Sequence, residues 1–240
     1  MEIIGYSERG AMNALFYWMA FKNDENGMKK FLELAGIENL NEFSNFKIYN
    51  EFSLSEFGEP DLVVVATRGS VNVVFFIEAK VTACQRFRIS SALKEYEKEN
   101  PDSSNLFYQL KQKKAFFEIK DYIPNHIEKV EEKIKTMMGP RKIGNNPIVR
   151  TFVDELKKCT EAEYIAIIPD VSCEDVSWKE KNPIDNLRIV YWEDLYRILG
   201  IQAGYIPFKE TMEYNQGKDP KTKSKIIKSQ ILNIPITETE

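Results

Sequence analysis

Pro60-Asp61-Leu62-Val63-Val64-Val65-Ala66-Thr67-Arg68-Gly69-Ser70-Val71-Asn72-Val73-Val74-Phe75-Phe76-Ile77-Glu78-Ala79-Lys80 is the stretch on which the fold turns. Pro60 cannot sit inside a central strand, so it marks an entry point. Asp61 to Thr67 is a β-branched run that predicts a strand, and Val71 to Lys80 predicts another. The polar link Arg68-Gly69-Ser70 is short enough to make the pair a hairpin. Side chains alternate along a strand, so Glu78 and Lys80 share one face, about 7 Å apart, and Ala79 takes the other. The hairpin folds the end of the second strand back beside the start of the first. Asp61, Glu78 and Lys80 therefore meet at one edge of an otherwise apolar sheet.

Working outward, both strands are near-continuously apolar, which predicts a sheet covered on two faces. Ser7 is a helix-capping residue, and Met12, Leu15, Phe16 and Met19 follow at helical spacing, predicting a helix over Ser7 to Lys22. A second helix is expected over Gly27 to Ala35, then a strand over Phe46 to Phe52. After the hairpin, helices are expected over Asn105 to Ile119, Ile127 to Met138 and Ile148 to Lys158. Strands over Tyr164 to Ile168 and Leu187 to Trp192 follow, with a short helix from Glu193 to Leu199. This order predicts an α/β fold, a central mixed five-stranded sheet flanked by helices on both faces. One domain is expected over residues 1–208, with a helical insertion at about 121–160 and a polar, lysine-rich tail over 209–240.

Composition narrows the chemistry. The 240 residues carry a formal charge of −4, 43% apolar residues, a single histidine (His126) and three scattered cysteines, Cys84, Cys159 and Cys173. There is no CxxC or HxxxH spacing for zinc, no GxSxG elbow, no GxGxxG and no glycine–lysine phosphate loop. Acid, base and metal chemistry must then rest on carboxylates and lysines. No apolar run approaches the roughly 20 residues of a membrane span, and no signal-peptide pattern opens the chain, so a soluble cytoplasmic protein without a membrane partner is expected. Charge is uneven: residues 1–61 hold 5 basic and 11 acidic groups, whereas residues 80–120 hold 9 basic and 5 acidic. A basic stretch beside an acidic site suits a protein that handles phosphates.

Two carboxylates sharing a site repel unless a cation lies between them. Mg²⁺ suits oxygen ligands from one or two carboxylates, water and a substrate phosphate. The alternative for the same residues is a salt-bridged strand end, with Lys80 pairing Asp61 or Glu78. Pro60-Asp61 followed by Glu78-Ala79-Lys80 resembles the signature of the PD-(D/E)XK nuclease superfamily, which has the restriction-endonuclease-like fold. The element order from Ser7 to Leu199 is similar to that core, as is Tyr191-Trp192-Glu193-Asp194-Leu195 at its end. The resemblance implies a nuclease that hydrolyses phosphodiester bonds, with DNA as the expected substrate and Mg²⁺ as the cofactor, Mn²⁺ substituting. It implies Asp61, Glu78 and the Ala79 backbone carbonyl as metal ligands, and Lys80 as the residue that positions or activates the attacking water.

Further candidates follow from position. Glu8 lies four residues before Met12 on the core-facing stripe of the first helix, and the resemblance makes it a catalytic glutamate; as an acidic residue in a first turn it also suits the helix dipole. Glu51 is either a further ligand or the polar face of its strand. Gln85, Arg86 and Arg88 follow the motif closely enough to contact phosphates. Gln109 resembles the first residue of the Gln-x-x-x-Tyr of some nuclease families, but Lys113 stands where the tyrosine would be. A symmetric homodimer would suit cleavage of both strands of a duplex. The competing reading is a non-catalytic member of the same fold that binds nucleic acid or protein.

Overall fold

A computed structural model describes residues 8–50, 52–54, 57–81, 87–123, 147–170 and 176–215. Five strands, β1 (Phe43–Tyr49), β2 (Leu62–Arg68), β3 (Val71–Ala79), β4 (Cys159–Ile168) and β5 (Leu187–Tyr191), lie side by side in that order. β2 pairs antiparallel with both β1 and β3, whereas β4 pairs parallel to β3 and β5 parallel to β4. The sheet is mixed, as the sequence predicts. Arg68 pairs with Val71, so Gly69-Ser70 alone makes the turn. Only Gly69 of the two has positive φ, +59°, which a glycine adopts without steric penalty.

The helices divide between the two faces. α1 (Glu8–Lys22), α2 (Glu25–Leu34), α6 (Trp192–Leu195) and α7 (Ile206–Asn215) bury Leu15, Phe16, Phe31, Trp192 and Phe208 against Leu62, Val64, Phe75, Ile77 and Ala79. α3 (Ile89–Tyr96), α4 (Leu106–Glu118) and α5 (Pro147–Leu156) bury Leu93, Phe107, Leu110, Phe116 and Phe152 against Val63, Val65, Val74 and Phe76. Alternate residues of β2 and β3 thus enter different cores, which is why both strands read as unbroken apolar runs. A π-helix, Tyr196–Gln202, continues α6. No helix among the described residues is long and apolar enough to cross a membrane.

Several boundaries differ from expectation for identifiable reasons. β1 starts at Phe43 rather than Phe46, because Asn45 takes a positive φ of 55° and the register with β2 shifts between Ser44 and Lys47. Such a bulge breaks the alternation on which a sequence reading depends. β4 begins at Cys159, five residues before the predicted start. Its first half carries Glu161 and Glu163, charges that strand propensity disfavours but that Arg68 and Arg188 neutralise. The stretch expected as insertion includes α5, which seats Phe152 and Leu156 in the second core.

The polar tail expected from residue 209 does not begin there. α7 runs through Asn215 and buries Phe208, Thr211 and Met212. Only two large apolar side chains anchor its ten residues, too few for a clear helical stripe in the sequence. α3 was also not foreseen; its apolar anchors are Ile89 and Leu93. The helix expected over Ile127 to Met138 lies outside the described residues, as do His126, Cys84 and Cys173.

Candidate active site at the β2–β3 edge

The register Leu62↔Ile77 continues outward to set Asp61 opposite Glu78, the juxtaposition expected from the hairpin. Asp61 Oδ2 accepts a hydrogen bond from the Ala79 N–H at 2.8 Å, so the backbone of one strand holds the carboxylate of the other. Ahead of it, buried Pro60 and the loop residues Phe57 and Gly58 turn the chain into β2. Gly58 has φ +76°, and a Cβ there would lie 3.0 Å from both Lys113 Nζ and Gln112 Oε1. The positive φ favours glycine, and a larger residue would also press on these two side-chain ends.

Glu78 and Lys80 share the face that α4 covers. Asn105 caps this helix, its side-chain oxygen accepting from the N–H groups of Phe107 and Tyr108, while its amide donates to the Ala92 carbonyl of α3. Two residues of strand span about 6.6 Å, and four residues of helix about 6 Å. The i,i+2 pair on β3 therefore matches an i,i+4 pair on α4. Lys80 Nζ donates to Gln109 Oε1 at 2.7 Å, and Lys113 Nζ approaches Glu78 Oε1 at 3.3 Å. Lys113 also donates to the Phe57 carbonyl at 2.8 Å, tying the loop before Asp61 to the helix.

From the opposite face, α1 delivers Glu8 to the same edge, where its Oε1 accepts from the Val81 N–H at 3.1 Å. The backbone of Lys80 is fixed twice: its N–H donates to the Ile167 carbonyl, and its carbonyl accepts from Trp192 Nε1. Nearby, Glu193 Oε2 accepts from the Asp170 N–H at 2.7 Å and so holds the chain as it leaves β4.

Of the sequence candidates, the structure brings Glu8, Asp61, Glu78, Ala79, Lys80 and Gln109 together. Arg88 is exposed at the start of α3, and its side chain makes no hydrogen bond or ion pair with this cluster. Glu51, Gln85 and Arg86 lie outside the described residues. Lys113, noticed in the sequence only as a departure from a pattern, is the largest omission. Its spacing from Gln109 was the signal, once Glu78 and Lys80 are known to face the same helix.

The electrostatics of the cluster are uneven. Asp61, Lys80, Glu8 and Gln109 are half-buried, whereas Glu78 and Lys113 have 0% side-chain exposure. The 3.3 Å approach is an ion pair without hydrogen-bond alignment, and both Glu78 oxygens lack a hydrogen-bond donor. Burial raises the Glu78 carboxyl from its ordinary value to about 8; Lys113 opposes this, Asp61 adds to it and Lys80 opposes it again. Burial also raises Glu8, with Lys80 opposing and Asp61 adding. With neither oxygen hydrogen-bonded, the charge of this buried carboxyl is offset by the Lys113 ammonium, by a proton or by a further cation.

Compared with known proteins, the chain matches no family model, no curated protein and no solved structure. The chemistry of the edge must therefore be argued from its own donors. Among the described residues, no group of three or more His, Cys, Asp or Glu side chains is arranged to hold a metal ion. The side chains on offer to a cation are the Asp61 and Glu78 carboxylates at the strand ends, with Glu8 reaching the same edge from α1. That donor set fits a hard divalent ion that keeps several waters, as Mg²⁺ does, and does not fit zinc.

Proposed function

We propose that this protein is a divalent-metal-dependent nuclease of the PD-(D/E)XK type, with a restriction-endonuclease-like core, that hydrolyses phosphodiester bonds in DNA. The observation that carries this reading is Glu78, wholly buried with neither oxygen hydrogen-bonded, opposite Asp61 and two residues from Lys80. A strand end built only for stability would give that carboxylate a donor or replace it with an apolar residue. Asp61, Glu78 and the Ala79 carbonyl are the groups that would hold Mg²⁺ or Mn²⁺. When bound, the ion would polarise the phosphoryl oxygens and acidify a water.

The remaining work falls to side chains. Lys80, half-buried and donating to Gln109, is suited to orient the attacking water and to offset charge developing on the phosphate. Glu8 supplies a further carboxylate, anchored through the Val81 amide. The test is cleavage of linear, circular, single-stranded and branched DNA, and of RNA, with Mg²⁺ or Mn²⁺. Activity should vanish with chelator and fall at least 10²-fold in both Asp61→Ala and Lys80→Ala, on the scale of losing a preorganised electrostatic group. Cleavage intact in either variant would remove the motif from the mechanism.

One observation favours a second reading, a non-catalytic nucleic-acid-binding member of the fold. The Lys113 ammonium already offsets the Glu78 charge. This alternative predicts binding of nucleic acid without turnover under any divalent ion.

A further inference from the structure

Lys113 has a position that the proposed reaction does not by itself require. It lies on α4 one turn beyond Gln109, has no solvent exposure, and directs its ammonium at Glu78 Oε1 from 3.3 Å. The head group is held from behind by the Phe57 carbonyl at 2.8 Å. Gly58 leaves the space it occupies, since a Cβ there would come within 3.0 Å of Nζ. The ammonium thus has a backbone acceptor on one side and a buried carboxylate on the other. The loop, the helix and the strand are built around this charge.

Two-metal hydrolytic sites place their ions about 3.5–4 Å apart, bridged by carboxylates that offer oxygens to both. Glu78 is the residue to bridge such a pair, because it is the wholly buried carboxylate of the cluster, on β3 and facing α4. One of its oxygens already faces a fixed cation. A second divalent ion there would meet the Lys113 ammonium at close range in a site shielded from water, where like charges repel strongly. The charge count agrees. Glu8, Asp61 and Glu78 supply three negative charges when ionised, and Lys80 and Lys113 return two. The net is one negative charge, which a single divalent ion already exceeds, so a second would have no counter-charge.

We propose that Lys113 is a positioning residue standing where a second cation would sit on Glu78, so that the site takes a single divalent ion. The inference rests on the metal-dependent reading above and adds the stoichiometry and its cause. It is tested without nucleic acid, by titrating Mn²⁺ into the full chain and counting free ion by electron paramagnetic resonance alongside calorimetry. The wild-type protein should bind one Mn²⁺. Lys113→Met keeps the apolar stem and removes the charge; it should bind a second ion, or bind the first at least tenfold more tightly. Lys113→Arg should return the count and affinity of the wild type, which a purely packing role for the residue would not explain.

Two ions on the wild-type chain would overturn the proposal, as would unchanged count and affinity in a folded Lys113→Met. Should Lys113→Met fail to fold, the wild-type count still decides. No Mn²⁺ bound to the wild-type chain is a distinct result: it removes the metal reading itself and this inference with it.

Discussion

Glu78 is where the physical demands on this molecule are sharpest. Burial raises its carboxyl against the opposing pull of Lys113, so in metal-free protein the group adds stability below its unfolded value, near 4.3. That contribution is lost as pH rises through the raised folded value of about 8. In chelator, the thermal midpoint of the wild type relative to Glu78→Gln is therefore expected to decline between pH 5 and 8. Glu78→Gln removes the titration while keeping the shape. A difference that stays flat across that window would show that Glu78 titrates as an ordinary carboxylate. Asp61 and Lys80 were legible as a pair with Glu78 because a hairpin obeys a period of two. Glu78's want of a donor was not legible, since it depends on where the α4 side chains end.

Among the elements, α4 contributes most to the site, because one helix sets both Gln109 and Lys113 against β3. Its start depends on Asn105, whose side chain satisfies two helix N–H groups and the Ala92 carbonyl. Asn105→Ala is expected to cost about 1–2 kcal/mol of stability, measured by urea unfolding, and to lower the proposed nuclease activity further than the fraction unfolded accounts for. Activity that tracks the folded fraction would mean that α4 positions nothing catalytic. The helix itself was readable from Asn105 to Ile119, a run without Gly or Pro. Which strand it would cover, and in what register, was not. The match of a two-residue strand step to a four-residue helix step exists only after the helix has packed.

For the whole molecule, the two cores on either side of the sheet must both form before the edge is assembled. Glu8 arrives from the α1 side, Gln109 and Lys113 from the α4 side. α7 closes the first core, with Phe208 fully buried 6.3 Å (ring centroid to centroid) from Trp192, whose indole N–H in turn holds the Lys80 carbonyl. Phe208→Ala is expected to destabilise the fold by about 3–5 kcal/mol, read as a lower urea midpoint. A change under about 1 kcal/mol would place α7 outside the cooperative unit. This helix was unreadable because two buried side chains among polar neighbours leave almost no periodic signal. Its stability comes from tertiary packing.

The sequence by itself determined the hairpin, the α/β character of the chain, and the meeting of Asp61, Glu78 and Lys80 at one sheet edge. These follow from local rules: strand alternation, a two-residue turn and the exclusion of proline from central strands. Tertiary structure alone decided that Glu78 would be sealed from water, that Lys113 would face it, and that Glu8 would reach the same edge from the opposite face. Burial and charge pairing are properties of elements brought together from 8 to 113 in the chain, and no local pattern encodes the distance between them.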